Sequence, residues 1–212
     1  MIEAVIFDFD GVIGDTMKDN CIAWQHAFAR YNFDLDAAEY YKLEGMGRFQ
    51  IAEHIIAEHG LDINNVKEIV EAKELYYKQN NTFKIYDGVA EIFDYLKQHN
   101  ILIAIVTGAS RARISEHLDE SLKIQLSALI TADDVINTKP HPEPYLKAVA
   151  QLNKVPGNCL VIENAILGIQ SARAAGCVCF ALETTLSKAD LMSADEVFST
   201  HQELLIKLKD IF

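Results

Sequence analysis

Ala4-Val5-Ile6-Phe7-Asp8-Phe9-Asp10-Gly11-Val12 is the stretch that decides the fold. The apolar run that begins at Ile2 and ends at Phe7 is strand-length, and after Glu3 it has no polar position, so it reads as a strand buried on both faces. It stops at two carboxylates two residues apart. That spacing sends both side chains to the same side of an extended chain, and Gly11 allows a sharp turn straight after them.

Working outward, runs of the same kind recur at Ile101 to Val106, Leu126 to Ile130, Leu160 to Ile162 and Val178 to Leu182. Between them lie segments with helical spacing of apolar residues: Val89 to Gln98, Arg111 to Leu118, Glu143 to Leu152 and Ile166 to Ala175. Alternating strands and helices predict an α/β fold, a Rossmann-like parallel sheet covered by helices. The interval 15–83 breaks the alternation. It carries helical patterns at Met17 to Arg30, Ala37 to Leu43, Phe49 to His59 and Val66 to Asn80, with Asn-Asn turn signals at 64–65 and 80–81. This predicts an all-helical cap domain, residues 15–83, inserted into a core made of residues 1–14 and 84–212.

Composition narrows the partners. The 212 residues are 50% hydrophobic, enough for one substantial core, and the formal net charge is -12. A field of that sign repels nucleic acid and anionic membranes, so neither is expected as a partner. An anionic ligand then needs local cations. The N-terminus has no secretory pattern and no apolar run approaches the ~20 residues of a membrane span. Cys21, Cys159, Cys177 and Cys179 lie in apolar surroundings without a zinc-type arrangement, which fits buried thiols in a reducing, cytoplasmic compartment.

In an open parallel sheet ligands bind beyond the carboxyl ends of the strands, so the residues there matter most. Asp8 and Asp10 follow the first strand; a carboxylate there attacks phosphorus only with a metal and other cations around it. Thr107-Gly108-Ala109-Ser110 follows the second, where a hydroxyl and backbone N–H groups precede a helix and can hold an oxyanion. Asn137-Thr138-Lys139-Pro140-His141-Pro142 follows the third and presents one ammonium. Glu163-Asn164 ends the fourth, with hard oxygens that suit Mg²⁺. Singly, each has a bland reading: an acidic turn, a helix cap, a solvated lysine, another cap. Their order along one sheet edge makes coincidence a poor explanation.

Asp-x-Asp-Gly-Val, then Thr, then Lys-Pro, then Glu-Asn, with a helical insertion after the first motif, resembles the haloacid dehalogenase superfamily over the whole chain. Within it the chain is similar to β-phosphoglucomutase and the related sugar-phosphate and phosphoglycolate phosphatases, through Asp15-Thr16, Trp24, Gly45-Met46-Gly47-Arg48 and Glu163-Asn164-Ala165-x-x-Gly168-Ile169. The resemblance implies that Asp8 is the nucleophile and Asp10 the general acid and base. It implies that Thr107 and Lys139 bind the transferring phosphoryl group. Thr16, Arg48, Gly108 and Ala109 are then substrate-binding, Arg48 through a second anionic group of the substrate, and Mg²⁺ is held by Asp8, the Asp10 carbonyl and the Glu163-Asn164 pair, Asn164 directly and Glu163 largely through water. It also implies a cis peptide between Lys139 and Pro140.

Three readings follow. The first is a Mg²⁺-dependent phosphatase of a small phosphorylated metabolite, a sugar phosphate above all, working as a monomer or small homo-oligomer. The second is a phosphosugar mutase, and the third a non-catalytic binding protein on the same scaffold. Asn20 stands where such mutases carry a histidine, and Glu44 where a basic residue is expected; both favour water as acceptor. Asn164 replaces the Asp of many relatives, which puts a neutral carbonyl in place of a charged metal ligand.

Overall fold

The alternation read in the sequence is explained by which residues face which layer. The computed structural model describes residues 1–61, 64 and 66–212, so the Asn65 half of the first turn signal lies outside the described residues. Strands β1 (Ala4–Phe7), β2 (Leu102–Val106), β3 (Ala128–Ile130), β4 (Cys159–Glu163), β5 (Val178–Leu182) and β6 (Glu196–Phe198) form one sheet. Its order is β3-β2-β1-β4-β5-β6, and every pairing is parallel. β1 therefore lies between β2 and β4, with Phe7 in register with Ile105 on one side and Ile162 on the other.

Period-2 alternation splits the buried strand residues between two cores. Val5, Phe7, Ile103, Ile105, Leu160 and Ile162 pack beneath α5 (Val89–Gln98), α6 (Arg111–His117), α7 (Glu120–Lys123) and α10 (His201–Ile211). Ala4, Ile6, Ala104, Val106, Val161 and Cys179 face the other way, onto α8 (Glu143–Gln151) and α9 (Ile166–Ala174). Burial on both faces is why these strands carry continuous apolar runs. All four cysteines are buried and free. No helix among the described residues is long and apolar enough to cross a membrane.

Helices α1 (Met17–Ala29), α2 (Ala37–Lys42), α3 (Arg48–His59) and α4 (Val66–Asn80) follow β1 with no strand among the described residues, and they pack around their own apolar cluster of Trp24, Phe28, Leu35, Ile55 and Ile69. Isolated bridges Asp10–Gly14 and Gly14–Ile85 bring the two ends of this insert together beside β1.

The sequence reading missed β6, α7 and α10. β6 is three half-buried residues at the sheet edge, too short to show a period. Three runs start before their strands: β1 opens at Ala4, with Glu3 still bonded to Asn158 and Leu102 through its backbone, β2 opens at Leu102, and Leu126 closes the turn after α7 instead of opening β3.

Candidate active site

Because β1 is flanked by β2 and β4, the residues leaving these three strands converge at one end of the sheet. Asp8, Asp10, Gly108, Ala109 and Asn164 line a narrow cleft that is partly open to solvent. The opposite wall comes from the insert. Gly11 adopts φ 84°, and a Cβ there would stand 2.1 Å from Asn164 Nδ2, so only glycine lets β1 turn beneath that amide.

The surroundings of Asp8 are built entirely from the core. Lys139, 2% exposed, donates to Asp8 Oδ1 and to Glu163 Oε1, each at 2.6 Å. Its ammonium also lies 5.1 Å from the Tyr145 ring centroid. Burial opposes the charge on Lys139, but the two carboxylates outweigh it and hold its pKa above the ordinary range. Burial pushes Asp8 up to about 7 against the pull of Lys139. Asp8 Oδ2 accepts no hydrogen bond from the described residues and is left to the cleft. Lys139–Pro140 is a cis peptide, as the resemblance implied.

Around Asp10 the insert and the core meet. Its Oδ1 accepts from Thr16 Oγ1 at 2.5 Å, from Asn20 Nδ2 at 3.3 Å and from the Arg113 guanidinium. Lys73 Nζ donates to Asn20 Oδ1 at 2.9 Å, which fixes the amide so that its nitrogen points at Asp10. Lys73 is buried; desolvation lowers its pKa to about 8, with Glu74 beside it pulling the other way. Arg113 lies beneath the Tyr77 ring at 4.3 Å. Oδ1 thus takes all three donors, and Asp10 Oδ2 accepts no hydrogen bond from the described residues.

Two expected roles shift. Thr16, expected to bind substrate, is fully buried with its hydroxyl given to Asp10, so it orients that carboxylate. Glu163, expected among the metal ligands, is also fully buried: Oε1 accepts from Lys139 and Tyr145, Oε2 from the Asn164 and Ala165 backbone N–H groups. Four donors leave it nothing for a cation, and it serves as the counter-charge that holds Lys139. Gly168 permits this, since a Cβ there would fall 1.9 Å from Glu163 Oε1.

The remaining donors fit a hard cation. Asn164 lines the cleft; its Oδ1 is buried without a hydrogen-bond partner, while its Nδ2 donates to Thr185 Oγ1 at 3.3 Å. Among the described residues no group of three His, Cys, Asp or Glu side chains converges on one point. The set is instead one carboxylate, the backbone carbonyl of Asp10 and one amide oxygen, which suits an ion that keeps several waters.

Thr107 is buried at the end of β2, its Oγ1 accepting from Ala109 N–H at 3.0 Å. Arg48 lines the cleft from the start of α3, whereas Lys78 faces outward and pairs with Glu116. The loop 44–48 rests on the core: Gly47 N–H donates to Thr138 Oγ1 at 3.1 Å. Arg113 and Lys73 were not singled out in the sequence. Each sits among other charged residues on a helix and reads there as solvent-facing; only a buried apolar neighbour four residues away, Ile69 for Lys73, hints otherwise.

The family model for haloacid dehalogenase-like hydrolases matches residues 5–182. Validoxylamine A 7'-phosphate phosphatase of Streptomyces hygroscopicus subsp. limoneus is 30% identical over 197 residues, covering 92% of each chain. The bifunctional riboflavin kinase/FMN phosphatase of Arabidopsis thaliana is 27% identical over 202 residues, 94% of this chain; the chain spans about half, 52%, of that longer protein. A crystal structure of β-phosphoglucomutase from Clostridium difficile superposes with a TM-score of 0.84 at 27% identity, covering 96% of this chain and 93% of the other. With the family model spanning most of the chain, a 30%-identical relative covered almost end to end and the fold superposing on a solved structure, the chain belongs to the haloacid dehalogenase-like hydrolases.

Proposed function

We propose that the protein is a Mg²⁺-dependent phosphatase that moves the phosphoryl group of a small phosphorylated metabolite, of the sugar-phosphate class, onto Asp8 and from there to water. The observation that carries this reading is the pairing of Asp8 Oδ1 with a fully buried Lys139, which leaves Oδ2 open beside an oriented Asp10. Asp8 Oδ2 attacks phosphorus in line with the ester oxygen, and the P–O ester bond breaks as the Asp8–P bond forms. Asp10 Oδ2 gives a proton to the departing alkoxide, then takes one from the water that attacks the aspartyl phosphate. Thr107 Oγ1 and the Gly108 backbone N–H bind the phosphoryl oxygens, the Ala109 N–H being given to Thr107 Oγ1, and Lys139 offsets their charge. Asp8, the Asp10 carbonyl and Asn164 Oδ1 would hold Mg²⁺, which when bound polarises the phosphoryl group and neutralises charge on it.

The insert acts as a cap that opens to admit substrate and closes to exclude water, with the chain around Gly14 and Ile85 as its hinge. Water is the acceptor because Asn20, held between Lys73 and Asp10, carries no titrating proton. The four buried, free cysteines support a reducing, cytoplasmic setting, and the partner is the small phosphate ester.

Phosphate release with Mg²⁺ from sugar phosphates, phosphoglycolate and nucleoside monophosphates tests this. Asp8→Asn is expected to lower it by roughly 10³-fold or more. Release that persists in Asp8→Asn removes Asp8 as nucleophile, and conversion of β-glucose 1-phosphate to glucose 6-phosphate without release makes the protein a mutase.

A further inference from the structure

Glu44 lies in the loop after α2 that rests on the core, and it lines the cleft. It is 5% exposed, both carboxyl oxygens are shielded from solvent, and neither accepts a hydrogen bond from a described residue. The Tyr40 phenol is near enough to favour the ionised form but does not bond to it. Burial first, then the charges on Asp10 and Asp8, push its pKa well above the ordinary carboxylate range. The cleft's other buried charges are answered within the protein: Asp8 by Lys139, Asp10 by Arg113, Lys73 by Glu74 and Asn20. Arg48, only half-buried, contributes its charge on the Glu74 side.

A buried carboxyl without a donor is costly, and a folded chain keeps one where a ligand supplies the missing group. We propose that Glu44 is the subsite for the non-phosphate part of the substrate, taking a hydrogen-bond donor there, a hydroxyl or an ammonium, and turning away a second anionic group. The inference rests on the phosphatase reading, since Asp8 fixes where phosphorus sits and Glu44 then meets the alcohol portion. A hydroxyl or ammonium gives an ionised Glu44 its missing donor. A carboxylate or second phosphate instead adds negative charge beside Asp8, Asp10 and Glu44, and desolvation magnifies that repulsion. The bias belongs to the ionised carboxylate; a protonated Glu44 has an O–H of its own to donate and discriminates less.

Three short esters separate the possibilities: 2-hydroxyethyl phosphate, O-phosphoethanolamine and phosphoglycolate, which differ in the terminal group alone. With Mg²⁺ the full-length protein is expected to release phosphate from the first two with kcat/KM about tenfold or more above that for phosphoglycolate. Their ratio to each other tells whether hydroxyl or ammonium is the better donor. Glu44→Gln, nearly isosteric, is expected to bring the three within about threefold, and Glu44→Lys to put phosphoglycolate first. Calorimetric titration of Asp8→Asn and Asp8→Asn/Glu44→Lys with the same esters reads the order without turnover. The same order with and without Glu44→Lys overturns the subsite in either measurement. No phosphate release, combined with a titration order that Glu44→Lys inverts, sinks the phosphatase reading and supports the subsite.

Discussion

Asp8 and Asp10 stand two residues apart, yet their surroundings are assembled from different parts of the chain. Each aspartate has one buried cation, and each cation lies against one tyrosine ring: Lys139 with Tyr145 behind Asp8, Arg113 with Tyr77 beside Asp10. Lys139, Glu163 and Tyr145 all belong to the core. Around Asp10, only Arg113 does; Asn20, Lys73 and Tyr77 come from the insert. Displacing the insert would leave the setting of Asp8 intact and dismantle that of Asp10. In the proposed reaction the division separates holding a phosphoryl acceptor ready from allowing the proton transfers that complete a turnover.

The severest way to break this comparison is Lys139→Met, which leaves Asp8 and Glu163 buried without a cation. Phosphate release is expected to fall by roughly 10²–10³-fold, and unfolding in urea to report a loss of about 3–5 kcal/mol. Retained stability would mean that the core site does not depend on this pair. Arg113→Ala strikes the other side and is expected to lower kcat by about 10–100-fold. KM should move little and stability less than with Lys139→Met. Tyr77→Leu, which removes the ring over Arg113, is expected to have a smaller effect in the same direction and to add little to Arg113→Ala. Full additivity in that double-mutant cycle would show that the ring does not work through the guanidinium.

The mildest perturbation sharpens the core half. Glu143 accepts from the Ile136 and Asn137 backbone N–H groups and from the Asn137 side chain, pinning the loop that carries Lys139. These bonds hold its carboxyl down to about 2, against an ordinary 4.5. Its contribution to stability is therefore complete above 4.5 and is lost as pH falls through about 2. Glu143→Gln is expected to flatten the decline of melting temperature across that window, and an unchanged acid limb would separate the loop from this carboxyl.

The comparison also explains what could be read without coordinates. Asp8, Thr107, Lys139 and Asn164 each follow a short apolar run, and a parallel sheet brings its strand ends to one edge, so local pattern locates them together. The bounds of α4, α5 and β5 emerge at the residues where spacing puts them. Arg113 and Lys73 reach the cleft only through docking of α4 against the core, a contact between residues 77 and 113 with no local signature. Glu163 misled for the opposite reason. Its strand-end position is right for a metal ligand, but Tyr145 and Lys139, 18 and 24 residues earlier, claim its oxygens first.

Gly168 carries that last arrangement into genetics. It touches no reacting atom, yet the Glu163 carboxylate occupies the space a side chain at 168 would need. In a saturation screen scored only by activity, position 168 should appear as intolerant as Asp8 and would be mistaken for a participant in the chemistry. Second-site reversion tells the two apart. Gly168→Ala should regain part of its activity when combined with Glu163→Asp, whose shorter side chain makes room for the methyl group, whereas no change at a neighbour should restore a lost nucleophile.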